Sequence, residues 1–150
     1  MKYFLVFIAV LHGTLFMIDE HFFHKKRGLV KGELISSIID GLLFLTPITL
    51  TVFTRHSFTL EKIYITLSVL SCISISKNEF FYKGLEQKER LIHSALYVLH
   101  PVILYTFYMA WMSNFFAIQL NFWTIQLVYL AMCVQTMAYK TVYWNYIHGK

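Results

Sequence analysis

Long apolar runs constrain the fold of this chain more than any other feature, because only short polar segments separate them. Only 14% of the residues are charged, whereas a soluble domain usually carries about a quarter. The mean hydropathy of +0.57 is correspondingly high. Apolar runs of about 20 residues are typical of helices that span a bilayer. The sequence therefore predicts an integral membrane protein with an all-α fold, in contact with the lipid bilayer.

The apolar runs predict a polytopic bundle of about five transmembrane helices in a single integral membrane domain, residues 1–150. Two of the predicted spans contain a proline, Pro47 or Pro101. We expect kinks there rather than helix ends, because neighbouring helices can satisfy the freed backbone groups. The predicted spans run from Tyr3 to Ile18 with a helical continuation to His24, from Glu33 to Phe53, from Leu60 to Ser76, from Glu89 to Met112 and from Phe115 to Tyr139.

Lysine and arginine are distributed unevenly between the two sides that five spans define. Ten of them lie on the side of the 25–32 loop, and three, Lys2, Arg55 and Lys62, lie on the other side. Because cytoplasmic loops are enriched in basic residues, we expect the amino terminus outside and the carboxyl terminus in the cytoplasm. The expected membrane is a bacterial inner membrane or a plasma membrane. Since the positive charge follows the topology, we expect no nucleic-acid partner.

Two segments of the chain resemble each other. Residues 22–35, FFHKKRGLVKGELI, and residues 80–92, FFYKGLEQKERLI, share F-F-[HY]-K followed by G-L-x-x-x-E. The similarity predicts two parallel-repeat hairpins plus a fifth helix, an arrangement that some membrane proteins use. Chance similarity between two short loops is the alternative. The repeat would bring both loops and their acidic residues to one side of the bilayer.

Acidic residues and histidines recur at helical spacing in three of the predicted spans. Side chains that are four or seven residues apart lie on one face of a helix. The alternative is a set of solvated interfacial residues that balance nearby Lys and Arg. The recurring residues are Glu20 and His24 in the first span, Glu33, Ser37 and Asp40 in the second, and Glu89, His93 and His100 in the fourth.

The depth of these residues predicts two polar layers. His12, Asp40 and His100 fall about 10 to 17 Å from the inner ends of their spans, at about 1.5 Å per residue. Ionisable groups inside a span are costly and by default functional, although a structural Asp–His hydrogen bond is the alternative. The layer nearer the cytoplasm holds Asp19 or Glu20, His24, Glu33, Glu79, Glu89 and His93. Together the two layers predict a polar cavity that opens towards the cytoplasm.

These residue types favour a transition-metal site. Imidazole and carboxylate ligands suit Fe, Zn or Mn, and helical bundles build two-metal sites from inward-facing Glu and His. The candidate histidines and carboxylates are more than one ion needs and about enough for a dinuclear site. The spacing Glu-x-x-x-His differs by one residue from the Glu-x-x-His of di-iron bundles. Asp40 is the candidate catalytic residue. The candidate metal ligands are His12, Glu20, His24, Glu33, Glu79, Glu89, His93 and His100.

The predicted function is a metal-dependent oxidoreductase that acts on a lipid-like substrate entering from the bilayer. One alternative is a non-enzymatic bundle, either a small transporter or proton-path protein that uses Asp40, or an accessory subunit bound to other membrane subunits. Another is a haem- or quinone-binding electron carrier with His12 and His100 as axial ligands. The chain has no glycine-rich phosphate loop and no G-x-S-x-G motif, so phosphoryl-transfer and serine-hydrolase functions are not expected.

Overall fold

The computed structural model describes residues 2–27, 30–77, 85–113 and 120–147, and every regular element in these ranges is helical. The all-α prediction is therefore confirmed for the described part of the chain. A π-helical segment, Asp19–His24, and a helical turn, Lys25–Arg27, continue the first helix, and a second π-helical segment, Tyr143–Ile147, follows the last. The five main helices are α1 (Lys2–Ile18), α2 (Lys31–Phe53), α3 (Phe58–Lys77), α4 (Gln87–Met112) and α5 (Leu120–Val142).

Helices α2 and α4 continue through Pro47 and Pro101, as expected for a bundle whose neighbouring helices can satisfy the freed backbone groups. The predicted limits of the second, third and fourth spans agree with α2, α3 and α4 to within two residues at each end. The predicted start of the fifth span at Phe115 lies outside the described residues.

Four helical stretches are long and apolar enough to cross a membrane: Tyr3–His24, Lys31–Phe53, Phe58–Lys77 and Gln87–Met112. Large apolar side chains cover their outer surface, including Phe7 and Val98, which are 62% and 68% exposed. Five acidic residues and four histidines, by contrast, are buried inside the bundle: Asp19, Glu20, Glu33, Asp40, Glu89, His12, His24, His93 and His100. This is the reverse of the usual distribution in a soluble protein, and it is what a lipid-facing surface requires. A fifth membrane span at α5 stays a prediction.

The helices pack in the circular order α1, α4, α3, α2, α5, and α2 and α4 also contact each other. A twofold axis relating hairpin α1–α2 to hairpin α3–α4 would make the α1–α4 contact equivalent to the α2–α3 contact, and both pairs pack together. It would also make α1–α2 equivalent to α3–α4, and of these two pairs only α3–α4 packs extensively among the described residues. In this order α5 lies between α1 and α2. The internal repeat itself stays a prediction.

The interior divides into an apolar half and a polar half. The apolar half includes Phe44, Ile48, Ile103 and Phe107, each at most 7% exposed. The polar half lies towards the starts of α2 and α4, where the two connecting segments meet through an ion pair between Lys26 and Glu86. This division confines the buried acids and histidines to one end of the bundle.

Candidate metal centre

The π-helical segment Asp19–His24 places three ionisable side chains inside the bundle. In an α-helix, residues five apart point about 140° away from each other, so Asp19 and His24 would not share a face. The wider π turn, with i→i+5 hydrogen bonds, brings them together. His24 Nε2 lies 3.5 Å from Asp19 Oδ2, and His24 Nδ1 lies 2.9 Å from Glu20 Oε2. All three side chains are buried.

Helix α4 contributes Glu89 and His93, which are one turn apart and both buried. His93 Nε2 donates a hydrogen bond to Asp19 Oδ1 at 2.7 Å, which joins α4 to the π-helical segment. The rings of His24 and His93 are 5.9 Å apart between centroids. The two segments therefore present their acids and histidines to each other.

Asp19, His24, Glu89 and His93 form a buried group that could hold a metal ion. One ligand atom from each residue lies within 4.8 Å of those of the other three. Ligand atoms around one tetrahedral ion, with bonds of about 2.0 to 2.2 Å, lie about 3.3 to 3.6 Å apart. Closing this group around an ion therefore requires side-chain rotations, and the hydrogen bond from His93 Nε2 to Asp19 would be lost if this nitrogen bound the ion. Two imidazoles and two carboxylates are a ligand set that suits Fe, Mn or Zn.

The hydrogen bond from His24 to Glu20 determines which nitrogen His24 presents to this group. A carboxylate can only accept, so His24 Nδ1 carries the hydrogen and donates to Glu20 Oε2 at 2.9 Å. In a neutral imidazole Nε2 then has a free lone pair. Among the described residues this buried Nε2 has no hydrogen-bond partner. A histidine fixed through one nitrogen and open at the other is the usual arrangement of a metal ligand.

Helix α5 adds a cation, Lys140, which is one of the ten basic residues predicted on the side of the 25–32 loop. Lys140 Nζ lies 2.8 Å from Glu20 Oε2 and donates to Ser37 Oγ at 2.6 Å. Trp144, in the segment after α5, donates from Nε1 to Glu20 Oε1 at 2.9 Å. Lys140 is only 2% exposed. The end of α5 is thus part of the site.

Periodicity along α5 is the signal that could have identified these two residues. Their positions continue a stripe of buried residues spaced three or four apart, the spacing of one helical face. The stripe consists of Tyr129, Cys133, Thr136, Lys140 and Trp144. A lysine on a buried stripe cannot act only as a topological charge, because burying it requires an anionic partner.

A cavity of about 90 Å³ extends from the metal group towards the apolar half of the bundle. His12, Asp40 and His100 lie on its wall, each with a hydroxyl partner. Asp40 Oδ1 accepts a hydrogen bond from the Ser74 hydroxyl. His100 Nε2 is 2.8 Å from Ser71 Oγ, and His12 Nδ1 is 2.9 Å from the Tyr129 hydroxyl. The rest of the wall is mainly apolar and includes Phe16, Phe44, Leu45, Leu96 and Met137.

The structure brings three of the predicted metal ligands, His24, Glu89 and His93, together with Asp19. Glu20 contacts His24 from the side away from this group, through Nδ1. His12 and His100 lie on the cavity wall, with ring centroids 6.5 Å apart. Glu33 is buried near the start of α2. Glu79 lies outside the described residues.

No protein-family model, curated protein or solved structure matches this chain. The function of the site is therefore inferred from the geometry and chemistry of its own residues.

Proposed function

We propose that the protein is a membrane-embedded metalloenzyme in which Asp19, His24, Glu89 and His93 bind one transition-metal ion. The observation that carries the proposal is His24 Nε2, which is buried among ligand atoms while Glu20 holds Nδ1. We further propose that the protein oxidises or reduces a lipid-like substrate and exchanges the electrons with a separate redox carrier of the membrane. Fe or Mn would supply redox chemistry, whereas Zn has none.

The charges of the site support a divalent ion. Glu20 and Lys140 form an ion pair and offset each other. Asp19 and Glu89 contribute two further buried carboxylates to the ligand group, and Asp19 also pairs with His93 at 2.7 Å. Carboxylates and neutral imidazoles are ligands for divalent transition metals. Two carboxylates would offset the charge of one divalent cation bound among them.

The cavity supports access of a small or chain-like substrate to the metal. Asp19, His24 and His93 line it together with Asp40. Iron and manganese accept more than four ligands, so a bound ion would keep coordination positions available. A mainly apolar wall with a few polar groups is typical of sites for apolar ligands. In this proposal Asp40, held by Ser74, transfers a proton to or from the substrate.

The alternative functions have less support. A transporter needs a path to the opposite side, but beyond His12 and His100 the interior is filled by Ile48, Ile103 and Phe107. Haem ligation by these histidines needs space for a porphyrin between them. Phe44 contacts both rings, at centroid distances of 5.4 Å from His12 and 4.5 Å from His100. The site therefore favours a metal ion close to Asp19 over a cofactor between these histidines.

Membrane residence and orientation belong to the same proposal. The four apolar helices and their exposed apolar surfaces support residence in a bacterial inner membrane or a plasma membrane. We expect the amino terminus outside and the carboxyl terminus in the cytoplasm. Compartment-sensitive reporters fused to each terminus test this orientation. Two termini on the same side would contradict the five-span topology.

Elemental analysis of the purified protein tests the metal centre directly. We expect about one Fe, Mn or Zn per chain in the wild type and loss of the metal in His93→Ala and Glu89→Gln. His21→Ala is the matched control, because His21 lies in the same π-helical segment but stacks on Tyr139. A wild type without stoichiometric metal, or variants that retain it, would overturn the proposal. A protein that contains only zinc would support the metal centre but contradict the redox reaction.

A further inference from the structure

Glu20 uses both carboxylate oxygens in contacts with protein groups. Oε2 accepts from His24 Nδ1 at 2.9 Å and lies 2.8 Å from Lys140 Nζ. Oε1 accepts from Trp144 Nε1 at 2.9 Å. The residue is 1% exposed. Three donors from three elements therefore fix the carboxylate beside His24.

We infer that Glu20 is a positioning residue that acts on the metal through His24, and that Lys140 and Trp144 keep it out of the ligand set. The inference rests on the proposed metal centre. A carboxylate that accepts from the far nitrogen of a metal-binding histidine fixes the tautomer and the ring orientation and makes the ligand more basic. Glu20 stands in this relation to His24, since it accepts from Nδ1 while Nε2 lies 3.5 Å from Asp19 Oδ2.

Lys140 determines the number of carboxylates that face the ion. Its ammonium group lies between Glu20 and Ser37, and so links the π-helical segment to α2. Without this cation Glu20 would carry an unpaired buried negative charge next to a divalent ion. The carboxylate would then bind the ion, because this offsets its charge. Lys140 thus preserves a set of two histidines and two carboxylates. A third carboxylate would make the site richer in oxygen and would favour harder ions such as Mn²⁺.

The first test is the metal affinity of Glu20→Gln, measured by competition with a chelator in detergent with Zn²⁺ and with Mn²⁺. We expect an affinity about 10- to 100-fold weaker than wild type, the usual effect of losing such a supporting partner. Glu86→Gln is the matched control, because Glu86 also pairs with a lysine at 2.8 Å but is 60% exposed. Glu20→Gln with wild-type affinity would overturn the positioning role.

The second test is X-ray absorption of the Zn²⁺- and Mn²⁺-loaded proteins, which reports the ligands of the ion. Lys140→Met should gain an oxygen ligand while keeping two imidazoles, and should bind Mn²⁺ more tightly relative to Zn²⁺. Lys140→Arg should restore the wild-type spectrum. If Lys140→Met fails to fold, the double variant Glu20→Gln/Lys140→Met removes the pair together. It should keep two imidazoles and show the weakened affinity of Glu20→Gln.

These outcomes separate the two proposals. A wild type that binds no metal ends the proposed function. The proposed function is supported if the wild type binds metal and His93→Ala loses it. The roles of Glu20 and Lys140 are nevertheless overturned if Lys140→Met keeps the wild-type ligand set and the double variant keeps the wild-type affinity.

Discussion

Lys140 and Glu20 lie near opposite ends of the chain and form a buried ion pair, with Nζ and Oε2 2.8 Å apart. The pair joins α5 to the π-helical segment after α1, and Ser37 on α2 binds the same ammonium group. One contact thus connects three segments of the bundle at the level of the metal group. The fold at this end and the candidate site depend on the same side chains.

Lys140→Met should lower the free energy of unfolding by about 3–5 kcal/mol, because it leaves the Glu20 carboxylate buried without its cation. Unfolding in mixed micelles, followed by circular dichroism, measures the change. The exposed lysine of the Lys26–Glu86 pair is the control, since Lys26→Met should leave the free energy of unfolding nearly unchanged. Equal effects of the two substitutions would contradict a structural role for the buried pair.

Removing both charges should be milder than removing one. The double variant Glu20→Gln/Lys140→Met should recover at least about 1 kcal/mol of the loss in Lys140→Met, because residues in direct contact have coupling energies of this size. The same unfolding measurement gives the coupling energy. Additive single effects would show that the two side chains do not depend on each other.

Metal binding should stabilise the folded wild-type protein. A ligand that binds only the folded state at about 100 times its dissociation constant adds about 2.7 kcal/mol. The melting temperature should therefore rise with added metal and fall with a chelator. His93→Ala should show neither change, whereas His56→Ala should respond like the wild type, since His56 pairs with Glu61 outside the ligand group. A melting temperature insensitive to metal in the wild type would argue against a bound ion.

Gly41 allows α2 to approach α5 closely. A Cβ atom at this position would overlap Met137 Sδ, so Gly41→Ala must displace the methionine side chain, which also lines the cavity. We expect a loss of about 1–3 kcal/mol from overpacking and recovery in Gly41→Ala/Met137→Ala. Gly13→Ala is the control, because its Cβ would make an ordinary 3.5 Å contact with Met132. Thermal unfolding of the four proteins tests the prediction.

Asp40→Asn should separate catalysis from metal binding. Asp40 accepts from Ser74 on the cavity wall and is outside the ligand group, so the metal content should not change. Loss of a general acid or base typically lowers turnover by about 10²- to 10⁴-fold. Mass spectrometry of lipid extracts from cells that express wild type or variant measures product formation. Wild-type product levels in Asp40→Asn would exclude the proposed proton transfer.

Local sequence patterns predict the helices and the kind of residues they bury. Apolar runs of span length predict helices because backbone groups in an apolar environment must pair within the segment. The four-residue spacing of Glu89 and His93 predicts a shared face for the same geometric reason, and both are buried on α4. A buried His/carboxylate group that could hold a metal follows from these local patterns.

Which of these side chains contact each other depends on how helices that are distant in sequence pack together. Helical periodicity predicts on which face of its helix, and at what depth, a residue lies. It does not predict which residue of another helix packs against that face. The bond between His93 and Asp19 spans 74 residues, and that between Trp144 and Glu20 spans 124. Asp19 lies beside His24 because the chain forms a π turn there. The periodicity of an α-helix does not predict this turn. The position of α5 between α1 and α2 brings the charge of Lys140 to Glu20, because packing places charges that are distant in sequence side by side.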